Sequence, residues 1–237
     1  MLIAAARTCD VIAGLAVYVL VCAPPVLIWT VITRDARLMF QAGRLGMRWA
    51  FSLAVLRLVV KGSPSVGVAA VYADNHSSNI DPPALFLALA PLFPHVRILY
   101  KAEMRRIPVL VWVFDAAGFV PVERANRDQS WPALDRAAAA LGAGSSFIVF
   151  PEGTRSRTGE LLPFKKGALI LAIKAGAPVV PVAVSGGRAA MPKGSRLIWP
   201  ATITVEFAPP VPTTGLTLED RDRLSADVRT AIEARLH

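Results

Sequence analysis

The chain has 237 residues, of which 54% are hydrophobic and 18% are charged; these values suit a membrane-attached α/β protein better than a bundle of spanning helices. Two cysteines provide no disulfide framework and three histidines leave little material for a metal site, so we expect no metal and no cofactor. The net charge of +9 favours an anionic partner, which would be nucleic acid, anionic lipid or a phosphorylated substrate.

The chain begins with a long apolar segment. No residue from Val11 to Thr33 is charged, and a helix of that length would measure about 34 Å, enough to cross the roughly 30 Å core of a bilayer. Pro24 and Pro25 are expected to kink or break this helix, so a spanning and a re-entrant segment are both open. A cleaved signal peptide is the alternative, but the apolar core is too long for one.

Residues 34–61 have the pattern of a basic amphipathic helix. Polar residues share one helical stripe: Arg34, Arg37, Gln41, Arg44 and Arg48. Such a helix is typical of the membrane interface; the alternative is an ordinary helix packed on the domain with a solvated arginine face. The excess of basic residues here places the following chain in the cytoplasm. We therefore predict a membrane anchor over residues 1–61 and an α/β domain over residues 62–237.

After Gly62 the pattern alternates between strands and helices. The predicted strands are Val66–Ala73, Val96–Tyr100, Phe119–Val122, Phe147–Phe150, Val179–Val184 and Ile203–Phe207. One predicted helix begins at Asp81. The others cover part of Met104–Phe114, Ser130–Leu141, Ala168–Lys174 and Thr217–Leu236. This alternation predicts an α/β fold, with a mixed sheet covered by helices and an N-terminal two-helix membrane-associating motif.

His76 and Asp81 lie in a turn rich in Ser and Asn, directly after the first predicted strand of the domain. A histidine at a strand end lies at the sheet edge where the active sites of α/β folds collect. The Asp81 carboxylate is expected to reach the imidazole, set its tautomer and stabilise its protonated form, which would make His76 a general base. Capping and hydrogen bonding at a turn are the alternative roles for both residues.

Two later strand ends carry charged residues. Arg124 follows the strand that ends at Val122, and Glu152 and Arg155 follow the strand that ends at Phe150. Strand ends can converge on one crevice in an α/β sheet, and arginine forks suit phosphate oxygens. The pattern therefore indicates a base beside an anion site, although surface salt bridges are the commoner role of isolated arginines.

These motifs, in this order, resemble the four sequence blocks of the glycerolipid acyltransferase family, which includes the 1-acyl-glycerol-3-phosphate acyltransferases. The matching segments are His76 to Asp81, Lys101–Met104 with Pro108 and Gly118–Arg124, Phe150–Ser156, and Val179–Val182. The likeness covers about residues 62–210. Glu123 stands where many relatives have aspartate, and Met104 stands where leucine is usual.

The resemblance implies transfer of a fatty acyl group from acyl-coenzyme A or acyl carrier protein to the free hydroxyl of 1-acyl-glycerol-3-phosphate. The enzyme would act at the cytoplasmic face of the cell membrane. The implied catalytic residues are His76 and Asp81, and the implied substrate-binding residues are Lys101, Arg124, Glu152, Gly153, Thr154 and Arg155, of which the basic ones would hold the phosphate. Similar blocks occur in enzymes that acylate other lysolipids or glycolipids, so the acceptor is less firmly indicated than the reaction.

Three other functional classes are less well supported. A serine-type lipid hydrolase is suggested by Ser185-Gly186-Gly187 after a strand, but Ala183 replaces the first glycine of a nucleophile elbow. A non-catalytic membrane adaptor is disfavoured because His76 and Asp81 are both present. Nucleic-acid binding is disfavoured because the positive charge is concentrated beside the apolar anchor.

Overall fold

The structure, a computed structural model, describes residues 1–123, 127–165, 167 and 169–236. The helices in this part of the chain are α1 (Leu2–Thr33), α2 (Arg37–Leu53), α3 (Asp81–Ala88), α4 (Pro108–Ala116), α5 (Arg127–Gly142), α6 (Ile170–Ala175), α7 (Gly187–Ala190) and α8 (Arg221–Glu233). The strands are β1 (Leu56–Lys61), β2 (Val71–Asp74), β3 (Val96–Lys101), β4 (Val120–Val122), β5 (Ser146–Val149), β6 (Val179–Ser185) and β7 (Ala201–Phe207). Short 3₁₀ segments cover Ala90–Leu92, Ala102–Arg106 and Leu218–Asp220.

The strands form one sheet in the order β1-β7-β6-β2-β5-β3-β4. Strands β6, β2, β5, β3 and β4 are parallel to one another, whereas β7 is antiparallel to β6, and β1 is parallel to β7. The predicted mixed sheet covered by helices is therefore confirmed. Because five strands run in one direction, their carboxyl ends meet at one edge of the sheet, where α/β folds place their sites.

Helices cover both faces of the sheet. On one face α2 and α3 pack through residues such as Phe40 and Leu85. On the other face α5, α6 and α8 pack through residues such as Ala137 and Leu171. Every residue of β2 and β5 is buried, as expected of central strands that are covered on both faces.

Helix α1 continues through Pro24 and Pro25, so of the predicted kink or break the break is wrong, and the kink stays a prediction. Each proline lacks the N–H of one helical hydrogen bond, yet the helical conformation continues on both sides of the pair. The helix has 32 residues, which corresponds to about 48 Å. Of the described helices it alone has the length and apolar composition needed to cross a membrane. It is therefore compatible with membrane anchoring.

Helices α1 and α2 form a hairpin. The Tyr18 hydroxyl of α1 donates a hydrogen bond to the Ala42 carbonyl of α2 at 2.8 Å. Gly46 permits this close approach, because a β-carbon there would lie 2.6 Å from the Tyr18 ring. The apolar side of α2, including Phe40 and Phe51, packs on the domain, while its arginine stripe is exposed. The two interpretations of this helix are therefore compatible: it packs on the domain and still presents a basic face.

The prediction that α2 extends to Lys61 is wrong. The helix ends at Leu53, and the following strand β1 pairs with β7 along its full length, from Leu56 opposite Ala201 to Lys61 opposite Glu206. Pairing with a distant strand overrides the basic pattern that continues through Arg57. The division of the chain between residues 61 and 62 stays a prediction.

The first strand after Gly62 is also shorter than predicted. It begins at Val71 instead of Val66, because Gly67 has a φ of 84°, which belongs to a turn and not to a strand. The helix predicted to start at Asp81 does start there.

Candidate active site

The strand order brings separate sequence motifs to one edge of the sheet. His76 follows β2 and Glu152 follows β5, and these strands are paired in parallel. Lys101 ends β3, which pairs with the other side of β5. Arg124, which was predicted to hold phosphate, lies outside the described residues.

The contact predicted between His76 and Asp81 is present. Asp81, fully buried in the first turn of α3, places its Oδ2 atom 3.3 Å from Nδ1 of His76, whose side chain is 18% exposed. The same oxygen accepts backbone N–H bonds from Ser77 at 2.7 Å and Ser78 at 2.6 Å. The carboxylate is therefore held by its own turn and oriented toward the imidazole.

Glu152 braces the backbone of the histidine turn. Its Oε1 accepts the N–H of His76 at 2.6 Å, and its Oε2 accepts the N–H of Leu162 at 2.8 Å. The carbonyl of His76 accepts the N–H of Ser156 at 2.7 Å. Burial raises the pKa of Glu152, although the two backbone N–H groups act to lower it. Both oxygens of Glu152 already bind the protein backbone. A direct contact of Glu152 with an acceptor stays a prediction.

Two neighbouring residues also position His76. Asn75 makes a two-way bond with the backbone of Val184 in β6, donating from Nδ2 at 2.9 Å and accepting at Oδ1 at 2.7 Å. The ring of Phe150 lies 4.5 Å from the imidazole. Sequence analysis assigned neither residue a role, although Asn75 precedes His76 and Phe150 begins the matching segment that contains Glu152.

Of the two glycines after β6, Gly187 lies next to Asp81, on the side of Oδ1, whereas the imidazole of His76 contacts Oδ2. Gly186 has a φ of 83°, and a β-carbon at Gly187 would lie 2.1 Å from Oδ1 of Asp81. The Ser-Gly-Gly sequence resembles a nucleophile elbow. Its second glycine instead lets α7 approach the carboxylate that orients His76.

The described anion-binding candidates lie at the end of β3 and in the loop after β5. Lys101 pairs with Glu103, with 2.8 Å between Nζ and Oε1, and both side chains are partly exposed. The loop with Thr154 and Arg155 is held by Lys193, whose Nζ donates to the Arg155 carbonyl at 2.6 Å. Lys193 was not identified from the sequence, because it lies far along the chain.

Gly153 adopts a φ of 66°, and a β-carbon there would lie 2.6 Å from Cε of Lys165. This position therefore favours glycine for its backbone conformation, and the flexible Lys165 side chain lies over it.

Asp74, at the end of β2, is a buried carboxyl that the sequence analysis did not identify. It is fully buried, and burial raises its pKa well above the usual range. The negative charges of Asp81 and Glu152 raise the pKa further. The Asp74 carboxyl therefore favours its protonated form beneath the His76 turn.

Replacing Asp74 with Asn should stabilise the fold by an amount that grows as the pH rises above about 4. The unfolded carboxyl releases its proton near that pH while the folded one retains it, so rising pH favours the unfolded state of the natural protein. Asn has no proton to release and removes this loss. Apparent melting temperatures in detergent between about pH 4 and about pH 8 measure the effect.

The matched control is Asp227→Asn, which removes a carboxylate from the exposed surface of α8. For the control, the difference in melting temperature from the natural protein should not widen as the pH rises. If the difference in melting temperature between Asp74→Asn and the natural protein stayed constant or shrank as the pH rises, it would contradict a raised pKa of Asp74.

Comparison with known proteins identifies the family. The Acyltransferase family model matches residues 57–185. The 1-acyl-sn-glycerol-3-phosphate acyltransferase of Limnanthes douglasii is 34% identical over 176 residues, 73% of this chain and 60% of that protein. The chloroplastic LPAT1 enzyme of that name from Arabidopsis thaliana is 39% identical over 133 residues, 56% of this chain and 36% of that protein. The chain thus spans less than two thirds of the length of these curated relatives.

A solved structure matches nearly from end to end. The crystal structure of the 1-acyl-sn-glycerophosphate (LPA) acyltransferase PlsC from Thermotoga maritima is 31% identical, with a TM-score of 0.79, and the match covers 97% of this chain and 94% of that chain. The resemblance inferred from the four motifs is therefore confirmed. Because the family model covers more than half of the chain and a solved relative matches its whole fold, this chain belongs to the Acyltransferase family.

Proposed function

We propose that this chain transfers a fatty acyl group from a thioester donor to the free hydroxyl of 1-acyl-glycerol-3-phosphate, which yields phosphatidic acid. The observation that carries the proposal is the His76–Asp81 pair at the carboxyl edge of the sheet. Relatives whose names specify this acceptor support the choice of substrate. The donor is acyl-coenzyme A or acyl carrier protein.

The proposed reaction is a direct transfer. Nε2 of His76 takes the proton of the acceptor hydroxyl while its oxygen attacks the thioester carbonyl. A C–O bond forms and the C–S bond breaks, and the thiolate leaves and receives the proton from His76. Asp81 binds Nδ1 of the ring, which leaves Nε2 unprotonated before the reaction and stabilises the imidazolium that forms.

The phosphate of the acceptor is proposed to bind three basic residues. Lys101 and Arg155 lie at this edge of the sheet, and Arg124 follows β4 in the sequence. Arginine can bind two phosphate oxygens at once. The loop that carries Arg155 is fixed close to His76, because the N–H of Ser156 binds the His76 carbonyl. Gly153 and Thr154 belong to the same loop and are proposed to complete the acceptor site.

Arg155→Ala should raise the KM for the phosphorylated acceptor about ten- to a hundred-fold, since a charge-assisted hydrogen bond contributes about 1.5–3 kcal/mol. The KM for the acyl donor and the rate with a monoacylglycerol that has no phosphate should change little. Arg157→Ala is the matched control, because it removes the same charge from the same loop at an exposed position. Equal losses on both acceptors would show that Arg155 is structural.

Membrane attachment through α1 and the basic face of α2 is proposed to place the site beside its lipid substrate. Both ends of α1 contact the domain: Thr8 accepts the N–H of Ile198 at 2.9 Å, and residues near Ile28 lie beside Trp112 of α4. A helix held along the domain in this way favours an orientation in the interface over one that spans the bilayer. The exposed arginines of α2 would face anionic headgroups at the cytoplasmic side.

The proposed activity is tested with purified full-length protein in detergent. Labelled acyl-coenzyme A and acyl carrier protein are each offered with 1-acyl-glycerol-3-phosphate, with other lysolipids and with no acceptor. Labelled phosphatidic acid as the main product supports the proposal. Faster acylation of another lysolipid or glycolipid would replace the acceptor, and release of free fatty acid without acyl transfer would favour a lipid hydrolase.

A further inference from the structure

We propose that α4 is an additional membrane-contacting element, in which Trp112 and the groove between α4 and α1 are filled by the acyl chains of bilayer lipids. The inference rests on the proposed membrane attachment and extends it from the N-terminal hairpin to the catalytic domain itself.

The first observation is the two-sided character of α4. Phe114 faces inward, and its ring packs against those of Tyr100 at 4.6 Å and Phe119 at 5.3 Å. Trp112 is 64% exposed, and Ile107, which immediately precedes the helix, is 55% exposed. The fold therefore holds α4 through one side and leaves an indole on the other, where water would surround it in a soluble protein.

The second observation is a groove that joins this exposed side to α1. It has a volume of about 510 Å³ and lies between Trp112 and the carboxyl-terminal half of α1. All the described side chains that line it are apolar; those from α1 include Leu20, Leu27 and Val31. Several of these α1 side chains are more than half exposed. If α1 lies in lipid, Trp112 lies at the same depth as the carboxyl-terminal half of α1, because both line the groove.

The third observation is the basic rim of this apolar surface. Arg105 and Arg106 immediately precede Ile107. Arg105 forms a bidentate ion pair with Asp115 of α4, with hydrogen bonds of 2.8 and 3.1 Å, and also donates to the Tyr100 hydroxyl. Arg106 is exposed. An exposed tryptophan on an element that also carries arginines is expected at the boundary between acyl chains and anionic headgroups.

The location of α4 gives this contact a consequence for the substrate. A 3₁₀ segment joins α4 directly to Lys101, at the carboxyl end of β3. Strand β3 ends at the same edge of the sheet as β2, which is followed by His76. A membrane-bound α4 would therefore hold the site against the lipid surface, where a lysolipid could reach His76 without leaving the interface.

Fluorescence quenching tests the contact without any substrate. Full-length protein is bound to vesicles of phosphatidylcholine and phosphatidylglycerol, with and without bromine atoms on the phosphatidylcholine acyl chains. The chain has five tryptophans, so removing one that touches lipid lowers the quenched fraction of the emission. Removing one that is remote from lipid raises it. Trp112→Phe should lower the fraction.

The matched control is Trp131→Phe, because Trp131 lies on α5 at the opposite face of the sheet. The control should leave the quenched fraction equal or higher. An equal or higher fraction for Trp112→Phe would overturn the proposal for α4. An absence of quenching in the natural protein would overturn the membrane attachment as well.

Activity provides a second, independent measurement. Trp112→Glu should lose several-fold in rate when the acceptor is presented in these vesicles, but retain its rate when the acceptor is dissolved in detergent micelles with the enzyme. An equal loss in both would place Trp112 in the fold or in binding of the donor acyl chain, and would contradict a bilayer contact. Acyl transfer by the natural protein in micelles reports separately on the proposed function.

Discussion

His76→Ala should lower kcat about 10²- to 10⁴-fold, the usual contribution of a general base. The substitution removes the Nε2 atom that would accept the hydroxyl proton, while the phosphate contacts proposed for Lys101 and Arg155 are retained. The KM for the acceptor should therefore change much less than kcat. Initial rates over a range of acceptor concentrations, at saturating donor, separate the two effects.

The matched control is His95→Ala, since His95 lies at the amino end of β3 and the site lies at the carboxyl ends of the strands. Both variants should be compared with the natural protein for melting temperature in detergent. Near-normal kcat in a folded His76→Ala variant would remove His76 from the chemistry. The Asp81 contact would then be one that stabilises the turn only.

The His76–Asp81 contact was predictable because its interactions are local. His76 and Asp81 are five residues apart, and the contacts that orient Asp81 come from Ser77 and Ser78 in the same turn. The buried strand before the turn and the Pro82-Pro83 sequence after it are strong local signals for the two flanking elements. The alternation of strands and helices likewise predicted the α/β fold.

What sequence analysis missed depends on contacts between distant segments. The carboxylate of Glu152 binds the backbone of a residue 76 positions earlier in the chain, and this bond exists only because β2 and β5 are neighbours in the sheet. The sequence predicts helix for β1 because its own residues continue a basic pattern, whereas its partner β7 lies near the other end of the chain.

The glycine behind Asp81 is an instance of the same limit. The sequence around Gly187 indicates only a resemblance to a Ser-Gly-Gly elbow. Its contact with Asp81 arises because β6 and β2 are adjacent and parallel, so that the turns after both strands meet. The size constraint at this position is therefore a property of the assembled sheet, and it can be tested directly.

Gly187→Ala should lower kcat about 10²-fold, the loss that a displacement of about 1 Å can cause in a catalytic arrangement. The new β-carbon would lie 2.1 Å from Oδ1 of Asp81 and 3.0 Å from Cβ of Ser78, so the carboxylate has to move. No positive φ is involved at this residue, so the contact and not backbone strain causes the effect. The matched control is Gly142→Ala, because nothing lies within 4 Å of a β-carbon there.

A double-mutant cycle separates displacement of Asp81 from a general disturbance of the fold. In an Asp81→Ala background the carboxylate is gone, so adding Gly187→Ala should cause little further loss of kcat. The KM values for both substrates should stay close to those of the single variants, because Asp81 acts through His76 and not through substrate. If Gly187→Ala instead caused its full loss in both backgrounds, the glycine would act through the fold of α7, and its role in positioning Asp81 would be wrong.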